Sequence, residues 1–69
     1  MKVMEVQVNG EWREVADDAT VADVLTAVGA PERGVAVALE GQVVPRRDWP
    51  GTSVRPGARV EILTAVQGG

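Results

Sequence analysis

The sequence predicts an α+β domain in which a mixed sheet of about five strands is crossed by one helix. Three observations lead there: apolar and polar residues alternate in the opening segment and again later, one stretch carries apolar residues at helical spacing, and turn dipeptides stand between them. At 69 residues, 45% apolar and 25% charged, the chain has room for one domain with one small core. It is too apolar for a disordered tail.

Met4, Val6 and Val8 alternate with Glu5 and Gln7, the pattern of a half-buried strand. Asn9-Gly10 tolerates the positive φ angles of a two-residue hairpin turn, so Glu11 to Val15 is expected to return antiparallel. Trp12 and Val15 have opposite parity, which puts Val15 inside and Trp12 outside. Asp17-Asp18 reads as a solvated turn, after which Thr20 and Asp23 stand at capping-box spacing. Val21, Val24, Leu25 and Val28 form a single apolar stripe, and Gly29 and Pro31 supply the stop. A helix of about two and a half turns forms only by laying that stripe on a sheet.

Val35, Val37 and Leu39 alternate with Ala36 and Ala38 as a third strand, and Glu40-Gly41 turns it into a short fourth, Gln42 to Val44. Pro45 ends that strand or lies on an exposed edge. Arg46 to Pro56 reads as a loop with at most one helical turn, with Trp49 as a lid on the core, its indole N–H on a nearby carbonyl. Val60, Ile62 and Thr64 alternate with Glu61, Leu63 and Ala65 as the last strand, launched by Pro56-Gly57. This order is the β-grasp arrangement. A right-handed crossover sets the last strand parallel beside the first, in the middle of the sheet. Residues 1–66 are expected to form the single domain and 67–69 a flexible tail.

Cysteine and histidine are both absent, which removes thiol nucleophiles, Ser-His-Asp triads, zinc sites and most near-neutral general bases. Ser53, the only serine, has no base to activate it. No metal ligand set is predicted. The net charge of -3 argues against nucleic-acid binding. Charge is uneven, however: residues 1–32 hold two basic residues against seven acidic ones, and residues 33–69 hold five arginines against Glu40, Asp48 and Glu61. No apolar run reaches the ~18 residues of a membrane span, and no signal-like segment opens the chain. A cytoplasmic protein, monomeric when alone, is expected.

The sequence closes on Val66-Gln67-Gly68-Gly69, and two of its 8 glycines at the last two positions is a placement chance rarely produces. The functional reading is that the Gly69 carboxylate is itself the reactive group. A carboxylate is a poor electrophile, so transfer to it requires a mixed anhydride, most simply with AMP from ATP. Gln67 and Gly68 suit threading into a narrow channel, since glycine lacks a Cβ and has no preferred φ.

The whole chain resembles the ThiS-type sulfur carriers of thiamine biosynthesis, β-grasp relatives of ubiquitin and of MoaD, the molybdopterin-synthase small subunit. The resemblance rests on Gly68-Gly69, on the length with Asn9-Gly10 in the first hairpin, and most specifically on Val44-Pro45-Arg46-Arg47-Asp48-Trp49, similar to the V-P-R-x-x-W stretch of ThiS proteins. Arg55-Pro56-Gly57-Ala58 departs from the acidic Gly-Asp turn common in the family. The resemblance implies a cycle performed by partners, with no cofactor bound by the chain. A ThiF-type adenylyltransferase would use ATP and Mg to adenylate Gly69, and sulfur from a donor such as a cysteine desulfurase would displace AMP. The resulting thiocarboxylate would pass sulfur to thiazole synthase, ThiG. The carrier would then be a cosubstrate, with no active site of its own.

Leu63, Ala65 and Val66 precede the tail, and Leu63 and Ala65 have the outward parity. With Ala36 and Ala38 they are expected to form an apolar docking patch. Arg46 and Arg47 either meet acidic residues of the adenylyltransferase or pair locally with Asp48, and Trp12 is an outward-facing docking candidate. Two other functions remain open at this point: a carrier for another acceptor (a molybdopterin, cysteine or thiosugar pathway), and a non-catalytic ubiquitin-like binding module.

Overall fold

The computed structural model describes residues 2–31 and 33–64. β1 (Val3–Val8) and β2 (Glu11–Ala16) form an antiparallel hairpin with Met4 opposite Val15 and Gln7 opposite Trp12. Both central turn residues have positive φ, 52° at Asn9 and 85° at Gly10, the turn whose twist matches that of the flanking strands. As parity requires, Val15 is buried and Trp12 is 57% exposed.

The helix α1 (Val21–Ala27) opens on a complete capping box: the Asp23 N–H donates to Thr20 Oγ1 at 3.3 Å, and the Thr20 N–H donates to the Asp23 carboxylate at 2.9 Å. At seven residues it is shorter than its apolar stripe suggests. Val28 already departs from helical geometry as the C-cap, and Gly29 (φ 73°) leads the chain away. The stripe nevertheless works as expected, with Val21, Val24 and Leu25 buried.

β3 (Val35–Leu39), β4 (Gln42–Val44) and β5 (Arg59–Thr64) complete a five-stranded sheet in the order β2-β1-β5-β3-β4. β5 runs parallel to β1 and antiparallel to β3, so the last strand is central. This is the mixed, helix-crossed β-grasp sheet that the order of elements predicts.

Between β4 and β5 the chain forms a 3-10 helix, Arg46–Gly51, longer than the single turn expected of that segment. Tertiary packing is the reason. Trp49 is buried against the core and its Nε1 donates to the Val44 carbonyl at 2.9 Å, while Thr52 Oγ1 donates to the Asp48 carbonyl at 2.7 Å. Farther on, the Val54 N–H bonds to the Ala19 carbonyl and the Val21 N–H to the Thr52 carbonyl, tying this connection to the entry of α1.

The core lies between α1 and one face of the sheet. Met4, Val6, Val8, Val15, Val37 and Val60 come from the strands, while Ala19, Trp49, Val54 and Ala58 come from the connections. No helix among the described residues is long and apolar enough to cross a membrane.

Candidate functional site

Alternation along β5 sends Val60 into the core and Leu63 to the opposite, uncovered face of the sheet. The register assembles the neighbours: Leu63 stands opposite Ala36, and Ala38 stands between Glu61 on β5 and Val43 on β4. Leu63 is 67% exposed and Val43 74%, and a shallow depression of about 350 Å³ beside Leu63 is lined by Gly34, Val35, Ala36 and Thr64. Leu63 and Ala36 thus form a low apolar surface where β5 finishes, while Val43 stands in the neighbouring row that contains Glu61. Val43 was not singled out from the sequence, although its parity relative to Val44 signals its exposure.

Trp12 is on the same face but not in the same patch. It lies beside Gln7, which is aligned with Arg59, so a polar row separates it from Leu63. The two arginines diverge as well. Arg46 borders a groove with Leu25, Thr26 and Trp49 on the helix side, whereas Arg47 lines one with Val43 at the β4 edge. Neither pairs with Asp48, which sets aside the local ion pair considered for them. The ion pair formed among the described residues joins Arg13 to Glu11 at 3.4 Å, with both side chains exposed, and contributes little to stability. Ala65, Val66, Gln67, Gly68 and Gly69 lie outside the described residues.

Around the end of β5, then, the described residues present main chain and small apolar side chains. An exposed apolar surface beside the last strand of a β-grasp domain is a feature of docking surfaces.

Comparison with known proteins makes the class specific. The model of the ThiS family matches residues 6–69. The crystal structure of the thiamine biosynthesis protein ThiS from Geobacter metallireducens superposes with a TM-score of 0.81 at 33% identity, covering 96% of this chain and all of that one. A solution structure of a thiamine biosynthesis protein from the same organism gives a TM-score of 0.77 at 33% identity, over 96% of this chain and 88% of the other. Among curated proteins, the thiazole synthase of Paramagnetospirillum magneticum is 32% identical over 66 residues, which are 96% of this chain and 20% of that protein. The chain therefore spans about a fifth of that relative's length. The chain belongs to the ThiS family, the small sulfur carrier proteins of thiamine biosynthesis.

Proposed function

We propose that the chain carries sulfur as a thiocarboxylate on Gly69. In this reading a ThiF-type adenylyltransferase attacks ATP with the Gly69 carboxylate, forming the acyl adenylate and releasing pyrophosphate. The persulfide sulfur of a donor such as a cysteine desulfurase then displaces AMP to give an acyl disulfide, and a second thiol cleaves that disulfide, being oxidised with the donor cysteine as it releases the thiocarboxylate. The product is an anionic, soft nucleophile at neutral pH that hands sulfur to its acceptor without releasing sulfide. ATP and Mg belong to the adenylyltransferase, and the chain supplies the carboxylate and a surface to be held by.

The observation that carries this reading is that the match to the ThiS family model runs through Gly69. The apolar surface around Leu63 and Ala36 supports it, since β5 leads directly into residues 65–69 and a partner gripping that face has the tail within reach. Leu63, Ala65 and Val66 are the proposed core of the contact, with Arg47 at its border and Arg46 and Trp12 as separate outlying contacts. Gln67 and Gly68 would thread the partner's channel. For the acceptor, the similarity to a segment of a thiazole synthase favours that enzyme.

Pyrophosphate exchange tests the first step. Incubated with the cognate adenylyltransferase, Mg and ATP, the full chain is expected to support exchange of labelled pyrophosphate into ATP, and a chain lacking Gly69 is not. Equal exchange with both chains would place the reactive group elsewhere.

A further inference from the structure

Both two-residue hairpin turns reach onto β5. Asn9 and Glu40, the first central residues of the two turns, share a φ of 52°. At the start of β5 the Glu40 N–H donates to the Arg59 carbonyl at 2.9 Å, and the Glu40 carboxylate accepts the Arg59 N–H. Farther along β5, at Val60 and Ile62, three bonds come from one residue. The Asn9 N–H donates to the Val60 carbonyl at 2.9 Å, Asn9 Nδ2 donates to the Ile62 carbonyl at 3.2 Å, and Asn9 Oδ1 accepts the Ile62 N–H at 2.8 Å.

The bonds from the Asn9 side chain answer a defect of the topology. β1 stops at Val8 while β5 continues to Thr64, so the flank of β5 that faces β1 runs out of partners beyond Val60. A carboxamide carries the same donor and acceptor pair as a peptide group, and here it takes both main-chain groups of Ile62 as one more residue of β1 would. The turn alone does not demand this, because Gly-Gly and Asp-Gly serve the same turn geometry. Asparagine adds to the turn a side chain whose two ends match a strand.

We propose that Asn9 is a positioning residue for the tail chemistry: its amide holds Ile62 in the sheet, so that residues 65–69 start from a fixed point and direction when a partner engages them. The role rests on the proposed function of Gly69. A strand end already ordered in the free protein need not be ordered on binding, so the benefit falls on the affinity for the adenylyltransferase and not on the chemical step.

Asn9→Gly removes the clamp and keeps the turn, while Asn9→Asp keeps the acceptor for the Ile62 N–H and loses the donor to its carbonyl. In Asn9→Gly, amide hydrogen exchange at Ile62 is expected to quicken by about tenfold or more, with Val6 and Val37 unchanged. In pyrophosphate exchange the KM for the carrier is expected to rise by about threefold to tenfold at unchanged kcat, with Asn9→Asp in between. Unchanged Ile62 exchange overturns the clamp. Faster exchange at Ile62, Val6 and Val37 alike, or an unchanged KM in both variants, overturns the positioning role. A wild-type chain that supports no pyrophosphate exchange instead overturns the function on which the role rests, whatever Ile62 does.

Discussion

Trp12 and Trp49, the chain's whole aromatic content, end up in opposite places. Trp49 lies in the core with its indole N–H on Val44, and Trp12 stands on the open sheet face. Trp49→Phe is therefore expected to lower stability by about 1 kcal/mol in urea denaturation, since it leaves the Val44 carbonyl without its donor. Trp12→Ala is expected to change it by less than about 0.5 kcal/mol. Both placements were legible in the sequence, Trp12 from strand parity and Trp49 from the tendency of an indole to be buried with its N–H on a nearby carbonyl. The side-chain role of Asn9 was not. Asn-Gly predicts a turn because the turn is local, whereas the contact with Ile62 spans 53 positions and follows from β1 ending before β5 does.

Elements with a local cause were read closely, and those with a tertiary cause were not. The start of α1 is visible as Thr20 and Asp23 because a capping box closes within four residues. Thr20→Ala is expected to cost about 1 kcal/mol by denaturation, leaving helix donors unsatisfied at a helix of only seven residues. The full length of the 3-10 helix Arg46–Gly51 escaped because the burial of Trp49 against the core, which helps hold it in place, is a tertiary contact. β5 belongs to the first kind, since its alternation predicts both the buried Val60 and the exposed Leu63. If its outer face is the docking surface, Leu63→Glu should keep the protein within about 0.5 kcal/mol of wild-type stability. The same variant should lower adenylation efficiency with the cognate adenylyltransferase by about tenfold or more. Wild-type efficiency in a folded Leu63→Glu protein would move the interface elsewhere.

At the scale of the molecule, the order of elements was enough for the sheet topology, because a right-handed crossover leaves one sensible place for the last strand. Trp49 apart, core membership was legible only on strands and the helix. Ala19, Val54 and Ala58 are buried from connections that carry no periodicity, and their burial follows from segments 52–54 and 57–58 being hydrogen-bonded to α1 and β1. The candidate site divides the same way: its proposed chemical end, Gly68-Gly69, is a sequence expectation outside the described residues, and its surface required the register that sets Ala36 opposite Leu63. The central proposal is that partner enzymes convert the Gly69 carboxylate to a thiocarboxylate. Intact mass tests that most directly. After incubation with the adenylyltransferase, Mg-ATP, a persulfide donor and a thiol reductant, the chain should gain the mass difference between sulfur and oxygen. A chain lacking Gly69 should gain nothing. An unmodified wild-type chain beside an adenylyltransferase active on its own carrier, or the same gain without Gly69, would contradict a terminal thiocarboxylate.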